Sequence, residues 1–270
     1  MKKSIKDKRA LTVLIMVFMV FLLNGASMNL YGEIRTNDFT YNHNGVPLQG
    51  YFAYDDSIRG ERPGVLIIHE WTGLGDYVKE RAEQLASDGY VVFAMDMYGR
   101  GIRPTTPQEA GAEASKYRSN RQLMRNRAVA SLDQLKAHRL TDPDRVAAIG
   151  YCFGGGAALE LARSGADVSG VVSFHGNLDT PNPDDARNIQ AKVLVLHGAD
   201  DPFVPKESIE AFHDEMRNAG VDWQMVYYSG AVHSFTNPAS GNDPSRGAAY
   251  NEVADKRSYR AMIDFFEELF

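Results

Sequence analysis

Gly150-Tyr151-Cys152-Phe153-Gly154-Gly155 has the form G-x-C-x-G, that of a nucleophile elbow with cysteine where such motifs more often carry serine. The residue at the tip of a strand-to-helix elbow sits in a strained backbone conformation, so its neighbours must be small. The flanks suit that geometry. Arg145-Val146-Ala147-Ala148-Ile149 leads in as a short apolar run, the pattern of a buried strand. Gly156-Ala157-Ala158-Leu159-Glu160-Leu161-Ala162 leads out as a small, helix-forming segment. A thiol at the tip has a helix N-terminus behind it, and the helix dipole favours thiolate over thiol. The bland alternative is a buried structural cysteine beside a glycine-rich turn. Cys152 is the only cysteine in the chain, so no internal disulfide competes for it.

Upstream and downstream, short apolar runs alternate with amphipathic segments. Phe39 to Tyr54 reads as a hairpin turning at Asn42-His43-Asn44-Gly45. Gly64 to His69 and Tyr90 to Met95 read as buried strands, with a helix between them on the face Val78, Ala82, Leu85 and Ala86; Gly89 follows as its C′ residue. Thr106-Pro107-Gln108-Glu109 combines an N-cap, a proline at N1 and a glutamate at N3, and opens a helical region to about His138, broken near Ser119-Asn120. Val168 to Phe174, Ala191 to His197 and Trp223 to Tyr228 are further strands. Helices are marked by Ile209, Phe212 and Met216, and by Met262, Ile263, Phe266 and Leu269. Strands alternating with helices predict an α/β fold, a mostly parallel central sheet with helices on both faces. Ligand sites in such sheets lie beyond the carboxyl ends of the strands.

Two of those strand ends carry partners for the thiol. Leu194-Val195-Leu196-His197-Gly198-Ala199-Asp200-Asp201-Pro202-Phe203-Val204-Pro205 runs from a strand into a loop with two acids. Gly230-Ala231-Val232-His233-Ser234-Phe235 leaves the last strand and presents a histidine. Nucleophile, acid, histidine is the chain order of an α/β-hydrolase triad. The histidine would take the thiol proton and later protonate the leaving group, while the acid fixes its tautomer. Of the seven histidines, His43, His138 and His213 read as solvated, and His69, His175 and His197 sit at strand ends, lining the site or packing beneath it. His233 is the candidate base because it alone follows the acid loop at a strand end. Asp201 is preferred over Asp200 because it directly precedes Pro202; the other acid would cap the loop.

Four local signatures make the chain resemble the dienelactone hydrolase family of the α/β-hydrolases: His69-Glu70-Trp71-Thr72-Gly73-Leu74, Asp96-Met97-Tyr98-Gly99-Arg100, the elbow itself, and Asp201-Pro202-Phe203-Val204-Pro205 with His233-Ser234-Phe235. The similarity covers residues 40–270. It implies an α/β-hydrolase fold and a Cys152 that attacks an ester or lactone carbonyl, with Asp201 and His233 as partners. It also implies that Glu70 holds the resting thiol neutral and takes its proton when substrate binds; the plain alternative for Glu70 is a solvated loop carboxylate. The resemblance and the elbow geometry both assign the oxyanion hole to the backbone N–H groups of Phe153 and Trp71. Arg100, with Tyr98 beside it, matches one of two arginines that bind a substrate carboxylate in the family. The second falls where this chain has Asn237, and an amide does not replace a guanidinium fork. Arg103 and Arg246 are the candidates to compensate.

The N-terminus has another character. Lys2, Lys3, Lys6, Lys8 and Arg9 precede the apolar run Ala10 to Leu23, and Asn24-Gly25-Ala26-Ser27 follows with small residues. This is a signal-peptide pattern over residues 1–27, leaving a single domain at 33–270. The alternative is an uncleaved membrane anchor. Residues 1–27 hold five basic and one acidic side chain, so cleavage takes the formal charge from −6 to −10. An acidic mature chain argues against a nucleic-acid surface. Export implies a periplasmic or secreted protein without stable membrane association. There a lone cysteine is either free or paired with another chain.

No cofactor is implied. Gly73-Leu74-Gly75 lacks the dinucleotide fingerprint, Gly154-Gly155-Gly156 lacks a phosphate-loop lysine, and His69-Glu70 has no second histidine at metal-ligand spacing. The expected activity is hydrolysis of a small-molecule ester or lactone through an acyl-cysteine. Acyl transfer or thioester hydrolysis by the same residues, and ligand binding on an inactive scaffold, are the alternatives.

Overall fold

The computed structural model describes residues 33–270, and the leader segment 1–27 lies outside them. Ile34–His43 (β1) and Val46–Asp55 (β2) form the expected hairpin. Its turn places Asn44 and Gly45 at positive φ, 51° and 81°, the conformation that asparagine and glycine adopt most readily. Arg62–Ile68 (β3) leads to the helix Asp76–Ser87 (α1), and Val91–Ala94 (β4) follows. The Thr106–Glu109 capping box starts Pro107–Arg118 (α2). Asn120 then caps a separate helix, Arg121–Lys136 (α3), accepting from the Leu123 N–H at 3.0 Å. Thr141–Tyr151 (β5) delivers the elbow to Phe153–Arg163 (α4). Gly170–Phe174 (β6), Lys192–Gly198 (β7), Lys206–Ala219 (α5), Trp223–Tyr228 (β8) and Glu252–Leu269 (α6) complete the order.

Among the described residues eight strands make one sheet, ordered β1-β2-β4-β3-β5-β6-β7-β8. β1, β2 and β4 pair antiparallel, and every pair from β4 to β8 is parallel. Alternation along each strand feeds two cores. Leu66 and Ile68 of β3 pack with α2, α3, α4 and α5, and Val65 and Ile67 pack with α1 and α6. β5 begins earlier than its apolar run, because Thr141 and Asp142 pair with Arg62 and Pro63 across a register shift before Gly64.

Parallel pairing puts the ends of β3, β5, β7 and β8 on one edge, and each opens into a loop bearing a candidate residue. The elbow helix is also anchored from below. Fully buried Arg163 holds Glu215 of α5 bidentately at 2.7 and 2.8 Å and Glu160 at 3.0 Å. Glu160 in turn meets Arg125 of α3 at 2.8 Å. Buried charge of this kind is tolerated because each group is paired. It locks α4, and with it the elbow, against two neighbouring helices. Among the described residues no helix is long and apolar enough to cross a membrane.

Candidate active site

Cys152 is the N-cap of α4, with φ 55° and ψ −116°. The glycines beside it are required by contact. A Cβ on Gly150 would lie 1.9 Å from the Gly154 carbonyl oxygen, and one on Gly154 would lie 2.1 Å from that of Ile68. His175 (φ 39°) and Ser234 (φ 56°) are also non-glycine residues in the left-handed region. Three such positions meet at one site, each costing on the order of 1–3 kcal/mol, which surrounding structure must offset.

The structure brings three of the sequence candidates into a hydrogen-bonded line. Cys152 Sγ lies 3.1 Å from His233 Nε2, and His233 Nδ1 lies 2.8 Å from Asp201 Oδ2. Asp201 Oδ1 accepts from the Phe203 N–H at 2.9 Å, so both its oxygens are fixed. Asp200 instead accepts from the Gly230 N–H at 3.0 Å, tying the acid loop to the histidine loop. His233 is clamped through its backbone, donating to Gly247 O and accepting from Ala249 N–H, both at 3.1 Å. Burial alone would lower the His233 pKa. Its charge and hydrogen-bond interactions with Cys152 and Asp201 outweigh burial and hold the imidazole up at about 10.

Glu70 is buried rather than solvated. Its Oε1 accepts from Ser234 Oγ at 3.0 Å and its Oε2 from Asn237 Nδ2 at 2.6 Å. Burial raises its pKa, and those two bonds pull in the opposite direction. The thiol therefore hydrogen-bonds to His233, while Glu70 is held by Ser234 and Asn237. Asn237, which stands where the resemblance places the second substrate-binding arginine, is occupied elsewhere. Its Nδ2 is committed to Glu70, and its Oδ1 accepts from the Ala239 N–H at 2.9 Å.

Phe153 N–H and Trp71 N–H have no acceptor among the described residues. Phe153 opens α4, where the first N–H groups have no partner within the helix. The Trp71 N–H is aimed by its own peptide. His69 Nδ1 and Gly73 N–H donate to Glu70 O at 2.6 and 3.1 Å, and a trans peptide turns the N–H the opposite way. His69 Nε2 accepts from the Met97 N–H at 3.1 Å, and burial holds the His69 pKa down to about 4. This histidine is a neutral brace.

The thiol opens into a cavity of about 610 Å³, of a size that takes small ligands. Trp71, Phe203, Ala239 and Ala248 supply apolar wall, and Arg118, Asn177 and Arg246 supply polar wall. Arg100 does not line this cavity. It is exposed on a loop whose backbone is drawn to the hairpin, its N–H donating to Pro47 O at 2.9 Å. Tyr98 is a supporting residue as well, donating from its hydroxyl to Trp71 O at 2.8 Å. Arg103 is spent on Asp96 and two carbonyls, but Arg246 does line the cavity. Arg118 could not be foreseen: it is the last residue of α2, and it reaches the cavity over the Phe153 ring at 5.7 Å. His43, His138 and His213 are half-buried rather than solvated, and the last two stack on Phe52 and Trp223.

A sequence model of the dienelactone hydrolase family matches residues 48–270. The protein usf of Aquifex pyrophilus is 30% identical over 234 residues, covering 84% of this chain and 96% of that protein. A dienelactone hydrolase-like promiscuous phosphotriesterase from metagenomic libraries superposes with a TM-score of 0.85 at 42% identity, covering 88% of this chain and 100% of that one. The structure called m3DLH superposes with the same TM-score at 40% identity, again covering 88% of this chain and 100% of that one.

Proposed function

Because the chain belongs to the dienelactone hydrolase family, and so to the hydrolases of carboxylic esters and lactones, we propose that it works through a Cys152 thiolate and an acyl-enzyme. The observation that carries this reading is the line from Cys152 Sγ to His233 to Asp201, beside two unpaired backbone donors. With its pKa raised to about 10, His233 carries the thiol's proton on Nε2 before attack, and Asp201 stabilises the imidazolium through Nδ1–H. Sγ attacks the carbonyl carbon, and the oxygen, now negative, is received by Phe153 N–H and Trp71 N–H. The intermediate collapses as His233 Nε2–H protonates the departing alkoxide. Water then gives a proton to His233 and its oxygen to the acyl carbon. Collapse of this second intermediate releases the acid and restores the thiolate beside the His233 imidazolium.

Arg118 and Arg246 line the cavity, and no aspartate or glutamate does. This supports a substrate carrying an anionic group, held by guanidinium groups at other positions than the resemblance implies. Both arginines are exposed, which moderates their strength. Arg118→Gln and Arg246→Gln should each raise KM for the 4-nitrophenyl monoester of succinate on the order of tenfold. KM for 4-nitrophenyl butyrate should stay put. Equal effects on both esters would remove charge recognition from the account.

The leader pattern at 1–27 supports export as part of the same proposal. Intact mass of the protein from extracytoplasmic fractions should match a chain cut near Ala26 to Ser27. A full-length mass with tight membrane association would favour the anchor instead.

A further inference from the structure

His175 ends β6 with φ 39°, and its ring is buried directly beneath the thiol–imidazole pair. The Cys152 N–H is shared between Phe174 O at 3.0 Å and His175 Nδ1 at 3.1 Å. Nδ1 is thus an acceptor, so in the neutral ring the proton sits on Nε2, which donates to Thr236 Oγ1 at 2.8 Å. Thr236 is itself held. Its hydroxyl meets Tyr77 OH at 2.6 Å, and its carbonyl accepts from Arg81 Nη2 at 2.8 Å. Arg81 is fixed in turn by Asp255. On its other side the His175 ring meets the His233 ring edge-to-face at 5.3 Å and Phe235 at 5.0 Å.

From this geometry we infer that His175 is a positioning residue for the reaction. Its ring, in the tautomer set by the Cys152 N–H and anchored at Nε2 by Thr236, holds the strained Cys152 backbone and keeps the floor under His233 uncharged. The inference rests on the reading of Cys152 as nucleophile. Two features favour positioning over simple core filling. A histidine that only filled space would not need a left-handed backbone, and it would not present a bare nitrogen to the nucleophile's own N–H. A neutral ring here also matters to His233, which carries a positive charge before attack; a second imidazolium at this distance would oppose it. Burial and the neighbouring His233 both push the His175 pKa well down, in keeping with the neutral ring.

The test compares His175→Phe, His175→Asn and Thr236→Val with wild type on 4-nitrophenyl butyrate, each normalised to thiol titratable under denaturing conditions. His175→Phe keeps a flat ring but lacks the acceptor. Asparagine returns an acceptor near the Nδ1 position and tolerates positive φ. Thr236→Val leaves the ring but removes the partner that anchors its Nε2. The phenylalanine and valine variants should lose about tenfold to a hundredfold in kcat with KM little changed, and react more slowly with iodoacetamide. Asparagine should recover most of that loss. Unchanged kcat in folded His175→Phe and Thr236→Val would overturn the inference, as would an asparagine variant no better than phenylalanine. Should phenylalanine fail to fold, Thr236→Val against wild type decides. Cys152→Ala in the same assay separates the two levels, since activity surviving there removes the nucleophile reading itself.

Discussion

Cys152→Ala is expected to lower kcat for a small aryl ester on the order of 10⁵–10⁶-fold while leaving the fold intact. The fold should survive because the change removes one sulfur atom that faces a cavity rather than close-packed core. The backbone strain at φ 55° is no worse for alanine than for cysteine. The chemistry should not survive. His233 and both backbone donors remain, so the variant keeps the power to polarise a carbonyl, and a residue of catalysis over water is expected from them. It has lost the atom that bonds to carbon. Titrating the thiol with iodoacetamide and measuring thermal unfolding beside kcat distinguishes loss of chemistry from loss of structure.

His233→Gln is expected to cost nearly as much, because residues that act as a unit fail as a unit. Its pH behaviour gives a second readout. The His233 pKa is raised from its ordinary value to about 10, against the effect of burial, by its charge and hydrogen-bond interactions with Cys152 and Asp201. A raised pKa means that the folded state binds the proton more tightly than the unfolded chain. The stabilisation is therefore complete below the ordinary histidine range and is lost as pH rises through about 10. Wild type should lose more unfolding temperature than His233→Gln between neutral pH and that limit. The acid loop supplies the internal comparison. Asp201→Asn should lower kcat about 10⁴-fold by letting His233 adopt the wrong tautomer. Asp200→Asn should change little, since Asp200 caps Gly230 and does not touch the imidazole. A pair of variants with equal losses would contradict the assignment.

The parts of the molecule that were legible in the sequence are those written in local patterns. The mostly parallel sheet follows from apolar runs alternating with helical faces, and the break between α2 and α3 was marked by Ser119-Asn120, where Asn120 caps the second helix. The elbow was legible because Gly150 and Gly154 have no room for a Cβ. Cys152, Asp201 and His233 could be nominated from chain order because parallel strands deliver their ends to one edge. Pairings between loops were not legible. Ser234 and Asn237 hold Glu70 across more than 160 residues of chain, and no local signal says that an amide will be spent on a buried carboxylate. Arg100 reads as a cavity residue in its motif, yet its loop is pulled to Pro47 of the hairpin. Arg118 at the end of a helix carries no motif at all. His175 was one of three strand-end histidines, and only the positions of Cys152 N–H and Thr236 single it out.

The central claim is that a covalent acyl-cysteine forms at residue 152. Rapid acid quench of the protein with excess 4-nitrophenyl butyrate, followed by intact and peptide mass analysis, tests it most directly. The account predicts a burst of nitrophenolate close to one equivalent and a butyryl mass increment confined to the peptide carrying Cys152, absent from Cys152→Ala. Hydrolysis that proceeds with no adduct on that peptide, and that persists in Cys152→Ala, would contradict it.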